Sequence, residues 1–190
     1  MYNKIHTRLF LFALACAAVI LTGIGPQQAV ADTAAEIDRK VDAALVLLYE
    51  QMPAAKKQAE SAKAILIFPD VVKAGLIVGG TYGNGALRVD GKTVGYYNTV
   101  EGSYGLQAGA QSFGYALFYM NNEAYGYLQK SNGWEFGLGP SITVVDEGLA
   151  GSLTTTTGKD AVYAFFFDQN GLMGGLGLKG GKITRITPDE

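Results

Sequence analysis

The side chains that most often carry chemistry are nearly absent from this chain. Its one histidine is His6 and its one cysteine is Cys16, and both fall within the first 31 residues. Beyond them no triad that needs an imidazole base can be assembled, and zinc, copper and haem lose their usual ligands. No disulfide can staple the remainder, so packing and hydrogen bonds must hold it. What is left is carboxylate, lysine or tyrosine chemistry, or a hard cation among oxygen ligands.

The candidates for that chemistry are few. Asp146-Glu147 and Asp168-Gln169-Asn170-Gly171 offer oxygens, but neither follows the Asp-x-Asp-x-Asp-Gly rhythm of a calcium loop, and turn chemistry accounts for both. Gly175-Leu176-Gly177-Leu178-Lys179-Gly180 spells a dinucleotide-binding pattern of glycines. That motif needs a following helix inside a βαβ unit, whereas here Gly181 follows at once, and 26 glycines make a chance match expected. No enzyme activity, metal or cofactor is therefore expected. Binding is.

Two groups of residues could bind. Lys56, Lys57, Lys63 and Lys73, set against Glu60 and Asp70, form the one locally basic stretch, although a solvated helix face explains such a run equally simply. The second group lies in Ser103–Gln111. Read as one strand, it shows Gly105, Gln107, Gly109 and Gln111 on one face and Tyr104, Leu106, Ala108 and Ala110 on the other. Glycine inside a strand is costly unless something approaches closely. That face is expected to receive a helix, an aromatic ring or a ligand lying flat on the sheet.

The elements that must position these residues follow from periodicity. Thr33-Ala34-Ala35-Glu36 is a capping box. The stripe Ile37, Val41, Ala44, Leu45, Leu48 and Met52 predicts a helix to about Gln51. Its charges (Glu36, Asp38, Asp42 and Glu50 against Arg39 and Lys40) are acidic, unlike a membrane-surface helix, so the stripe is expected in the core. Pro53 suits the start of a second helix over 54–62. Ala64–Phe68 reads as a buried strand stopped by Pro69-Asp70. From Gly75 onward strands and tight turns are expected. Asn84-Gly85, Asp90-Gly91, Asn132-Gly133, Asn170-Gly171 and Gly180-Gly181 are the candidate turns, with one helical interruption over 122–130. Val162–Phe167 is apolar on both faces and predicts a central strand.

The N-terminus reads as an export signal. Lys4 and Arg8 precede an apolar run from Leu9 to Ile24, and Ala29-Val30-Ala31 has the small-x-small pattern cut by signal peptidase. Lipidation at Cys16 is the alternative; the apolar run continuing through Ala17–Leu21 argues against it. Removing residues 1–31 takes Lys4 and Arg8 from 15 basic residues, leaving 13 against 17 acidic, net −4. The remaining 159 residues suffice for one domain, and their charge gives no field for nucleic acid.

Three blocks resemble the SYLF domain: Ala62–Pro69 with Lys73-Ala74-Gly75 and Gly79-Gly80-x-x-Gly83-x-Gly85; Gly102–Gly109; and Gly171–Gly175 with Gly180. Together they cover about residues 35–187. The resemblance implies binding, because eukaryotic SYLF proteins associate with phosphoinositide membranes through a basic amphipathic N-terminal segment and are linked to actin regulation. The bacterial members, which this chain resembles more closely, are exported. Only Lys56, Lys57, Lys63 and Lys73 match the general place of that basic segment.

The expected fold is α+β, with N-terminal helices packed on a twisted, mostly antiparallel, Gly-rich sheet. The expected function is binding to lipid headgroups or a membrane surface, in the periplasm or outside the cell. An envelope scaffold that contacts another protein is the first alternative, and a small outer-membrane β-barrel the second. For the leader, intact-mass analysis of the exported protein should give a chain beginning at Asp32. A mass carrying a diacylglyceryl group on Cys16 would make it a lipoprotein instead.

Overall fold

Helix α1 (Ala34–Gln51) begins where the sequence supplies its own cap. Thr33 Oγ1 accepts from the Glu36 amide at 3.3 Å, and Glu36 Oε2 accepts from the Thr33 amide at 3.1 Å. A third amide of the first turn, Ala34 N–H, donates to the carbonyl of Asp189 at 3.0 Å, tying the two ends of the domain together. The expected stripe is the buried one: Ile37, Val41, Ala44, Leu48 and Met52 are in the core, and Leu45 packs at its margin. Helix α2 (Pro53–Ala59) starts on its proline as expected but stops three residues short of Ala62, where the amides of Ser61 and Ala62 close onto the Gln58 carbonyl.

The computed structural model describes residues 32–75, 78–104, 109–130, 133–135, 139–145, 160–171 and 181–189. Residues 32–190 form one unit by their contacts. Among the described residues, eight strands make one sheet: β1 (Ala64–Gly75), β2 (Val78–Val89), β3 (Lys92–Tyr104), β4 (Gly109–Tyr119), β5 (Gly133–Glu135), β6 (Ile142–Val145), β7 (Val162–Gly171) and β8 (Gly181–Ile186). Helix α3 (Asn122–Lys130) occupies the span expected for it. The order is β5-β8-β3-β2-β1-β4-β7-β6, and every described pairing is antiparallel except β6 with β7. The fold is thus α+β, helices on a mostly antiparallel sheet.

Each face of the sheet has its own core. On one face α1 and α2 pack against Ile67, Ala86, Ala116, Phe118, Tyr163, Phe165 and Phe167. On the other, Leu66, Phe68, Val71, Leu87, Tyr97, Phe113, Tyr115, Leu117, Tyr119, Phe166 and Ile183 gather, with Ala124 and Leu128 of α3. This second face is concave. Tyr115 of β4 donates to Thr99 Oγ1 of β3 at 2.8 Å, although those strands stand three places apart, about 14 Å in a flat sheet. A tyrosine and a threonine can meet across that span only if the sheet curls toward them.

Three expectations need correction. Pro69-Asp70 does not stop β1, which continues to Gly75. The register shifts there against both neighbours, between Ile67 and Val72 on β2 and between Phe68 and Val71 on β4. Proline is tolerated in a strand at such a bulge, where no ladder hydrogen bond is required of it. Asn84-Gly85 is not a turn either but lies within β2: Asn84 Oδ1 accepts from Asn98 Nδ2 of β3 at 3.1 Å, and its own amide reaches Asp32 Oδ2 at 3.3 Å. Asn170-Gly171 likewise belongs to β7. Asp90-Gly91 does form the hairpin between β2 and β3, with φ of 50° and 75°. Asn132 and Gly180 lie outside the described residues.

Glycine matters most where β1 leans over β2. A Cβ at Gly85 would overlap the Ile67 carbonyl oxygen, and one at Gly83 would stand 2.8 Å from a Val71 methyl. Gly126, inside α3, has open space around it. Gly85→Ala should therefore destabilise the fold by about 1–3 kcal/mol through overpacking. Gly126→Ala should stabilise it by about 0.5–1 kcal/mol. Chemical denaturation of both variants measures the contrast.

Candidate functional site

Helix α1 is fastened to the convex face by charge as well as by its apolar stripe. Arg88 of β2 reaches Asp42 Oδ1 at 2.7 Å and Asp38 Oδ1 at 3.4 Å, with only 12% of its side chain exposed. Asp38 also accepts from Thr93 Oγ1 at 2.7 Å and from the Tyr96 hydroxyl at 3.0 Å. Asp32 pairs with Lys40 at 2.7 Å, and that hydrogen bond holds its carboxyl below the usual value. Two of the acids of α1, Asp38 and Asp42, are thus engaged in docking.

The opposite, concave face carries a different arrangement. Three registers place Gln111 (β4), Lys73 (β1), Thr81 (β2) and Glu101 (β3) side by side in one row. Alternation along each strand puts that row on the face of Phe113, Val71, Leu87 and Thr99. One more described row on this face, Gly109, Gly75, Gly79 and Ser103, follows it before β1, β2, β3 and β4 reach their ends at Gly75, Val78, Tyr104 and Gly109. Thr81 is 6% exposed and Gln111 7%. Yet neither Thr81 Oγ1 nor Gln111 Oε1 has a hydrogen-bond partner among the described residues. A buried polar atom left in that state costs about 1–3 kcal/mol.

Below the row the face is aromatic. Tyr115 stacks on Phe68 at 4.8 Å and on Phe166 at 5.6 Å, and Phe113 lies 5.7 Å from Phe166. Burial pushes the Tyr115 hydroxyl far up, so it stays a neutral donor to Thr99. Burial also raises the Glu101 carboxyl, while the positive charge of Lys73 pulls it the other way. Glu101 in turn acts on Tyr115. The arrangement thus offers two donors (Lys73 and the Thr81 hydroxyl) and two acceptors (Glu101 and Gln111 Oε1) over an aromatic floor.

No protein-family model matches this chain, and no curated protein matches it.

The sequence candidates fall apart in space. Lys56 and Lys57 are exposed on α2, and Lys63 is exposed just before β1. Lys73 lies ten residues further along β1, about 30 Å at 3.3 Å per residue, half-buried on the concave face. The structure therefore brings three of the four lysines to one end and the fourth to the other. The Ser103–Gln111 strand is also corrected: β3 ends at Tyr104, and the chain re-enters the sheet at Gly109 on β4, beyond β2 and β1. Gly105 and Gln107 lie outside the described residues. Gly109 is exposed with φ of 150°, a conformation that only glycine adopts readily, so its role is conformational. Gln111 alone of that face becomes part of the row.

Asp146, Glu147 and the glycines 175–180 also lie outside the described residues. Asp168 sits at a bulge in β7 with φ of 50°; Asn170 Nδ2 bonds its carbonyl at 3.2 Å and its carboxylate at 3.1 Å. This is turn chemistry. The row members missed in the sequence are Thr81 and Glu101, together with their neighbours Thr99 and Tyr115. They share no motif, and only strand register brings them together.

The raised Glu101 carboxyl has a measurable consequence. It holds its proton more tightly folded than unfolded, so the fold loses stability as pH rises from the ordinary glutamate value through the raised one. Glu101→Gln should raise the thermal midpoint at pH 7. The gain should shrink as pH falls through the raised value and vanish below the ordinary glutamate value. A lower midpoint for Glu101→Gln at pH 7 would mean that the attraction of Lys73 outweighs the burial.

Proposed function

We propose that this is an exported, non-enzymatic protein that binds lipid at a membrane surface. The observation that carries the reading is the bare end of the sheet. Past the cover of α1, the convex face presents Val72, Tyr82 and Val100 in one cross-strand row, 49%, 58% and 48% exposed. Val78 on β2, 70% exposed, extends the patch. Exposed Ala74, Gly80, Gly102 and Ala110 form the next row. Clustered large apolar side chains in water mark a surface that meets a partner. The same end of the same strands carries the polar row of the concave face, so one end of the domain offers apolar contact outside and polar groups inside. Those are the two halves of a lipid.

The resemblance to the SYLF domain points the same way, though to a basic segment. Here Lys56, Lys57 and Lys63 stand at the other end of β1 and can add only screened attraction, about 1 kcal/mol for each lysine near an anionic surface. The scaffold alternative would use the same apolar patch for a protein. The barrel alternative is disfavoured by what α1 covers: the convex face carries Arg88, Thr93 and Tyr96 bound to Asp38 and Asp42, where a membrane-spanning barrel needs an apolar band.

Liposome co-sedimentation tests the reading. The double substitution Val78→Asp with Tyr82→Asp should abolish sedimentation and leave the thermal midpoint nearly unchanged, since both side chains are exposed. Lys56→Glu with Lys57→Glu should weaken sedimentation only at low salt. If that lysine variant loses all binding and the Val78/Tyr82 variant none, the contact surface is the lysine end. If the unsubstituted protein ignores liposomes at every salt concentration, the scaffold reading replaces this one.

A further inference from the structure

The polar row has a composition that selects among ligands. Lys73 and Thr81 lie on the two central strands, β1 and β2. Gln111 and Glu101 lie on the flanking strands, β4 and β3. The curl that lets Tyr115 of β4 reach Thr99 of β3 tips these flanks toward each other. Glu101 and Gln111 Oε1 therefore approach from two walls as acceptors, above a base that donates through the Lys73 ammonium and the Thr81 hydroxyl.

Each simple ligand leaves part of this set unanswered. A bare phosphate suits Lys73 and Thr81, but it meets the Glu101 carboxylate and gives Gln111 Oε1 no donor. A lone amine suits Glu101 and Gln111 but sits against Lys73. A quaternary ammonium balances charge yet has no N–H for Gln111 Oε1. A group joining a phosphate to a primary ammonium answers both unsatisfied atoms, Thr81 Oγ1 and Gln111 Oε1, and matches the sign of charge at Lys73 and at Glu101. Its charge-assisted hydrogen bonds are the strong kind. We propose that the row Gln111–Lys73–Thr81–Glu101 is a receptor for the phosphoethanolamine group, with phosphate on Lys73 and Thr81 and ammonium between Glu101 and Gln111. The same chemistry is offered by an aminophospholipid headgroup and by free O-phosphoethanolamine. The choice of the lipid as its natural source rests on the membrane reading above; the zwitterion preference rests on the row alone.

The test separates the two. The exported protein, as purified, is titrated by NMR with O-phosphoethanolamine, O-phosphocholine, inorganic phosphate and glycine. It is then sedimented with vesicles of phosphatidylcholine, with or without phosphatidylethanolamine. O-phosphoethanolamine should shift the Gln111 side-chain amide and bind at least about tenfold more tightly than the other three, the factor expected from one lost charge-assisted hydrogen bond. Glu101→Gln should erase the preference over inorganic phosphate. Thr81→Val, nearly isosteric, should weaken all three phosphates alike. Phosphatidylethanolamine should enhance sedimentation, and Glu101→Gln should remove the enhancement.

Equal affinity for inorganic phosphate overturns the proposal in favour of a plain anion site. Equal affinity for O-phosphocholine overturns the role of Gln111, and tighter binding of glycine makes the ligand an amino acid. Sedimentation without headgroup preference, and with no response to any soluble ligand, overturns this site and leaves the membrane reading intact. Tight O-phosphoethanolamine binding without vesicle binding does the reverse.

Discussion

The absence of side chains at Gly83 and Gly85 is the constraint on which the rest of the structure depends. Strand β1 bulges at Pro69-Asp70 and leans over β2, bringing the Ile67 carbonyl and the Val71 methyl to where any Cβ on those two glycines would stand. The lean has two results. Phe68 settles against Gly85 and stacks on Tyr115, fixing the aromatic floor. Gly83, the cross-strand partner of Thr99, puts no side chain in the path along which Tyr115 reaches that threonine. Curvature, floor and the crossing hydrogen bond follow from one bulge and two missing methyl groups.

Curvature then divides labour between the faces. The convex face takes α1, whose Asp38 and Asp42 would repel an anionic membrane but here find Arg88, Thr93 and Tyr96, while Asp32, just before the helix, finds Lys40 and Asn84. Those contacts reach along the strands only as far as the row of Asn84 and Asn98. The next rows, through Tyr82 and Gly80, are left open. The position of the helix thus decides which apolar residues face solvent, and the same strand alternation decides which polar ones turn inward.

Local features were legible in the sequence, and features made by strand register were not. The Thr33–Glu36 cap, the α1 stripe, the span of α3 and the Asp90-Gly91 hairpin depend on residues within a few positions of one another. Asn84-Gly85 misled because it has the chemistry of a turn, yet Asn84 spends its amide on Asp32 and Gly85 is needed for close approach. Pro69 misled because a strand can carry proline at a bulge, and the bulge exists only relative to β2 and β4. Gln111 stood out beside its glycines, but the face assigned to it joined two strands that the fold separates. Thr81 and Glu101 had no local mark at all: their nearness to Lys73 arises from pairings between strands, none of which a spacing rule encodes.

The proposed binding role asks this row for capture rather than turnover. Tyr115 is held neutral by burial and already donates to Thr99, so it is a poor proton shuttle at neutral pH. Glu101 is raised by burial and stands two strands from Lys73, with Thr81 between them. The row does hold unsatisfied hydrogen-bonding capacity at Thr81 and Gln111, enclosed where water has little access. Such capacity lowers the stability of the fold and would be recovered by a ligand that filled it. The recovered energy favours ligands that match both donors and acceptors over those that match one sign of charge. On the proposed reading, a domain whose glycines curl the sheet around such a row would bind selectively, with its apolar end placed to meet the surface from which the ligand comes.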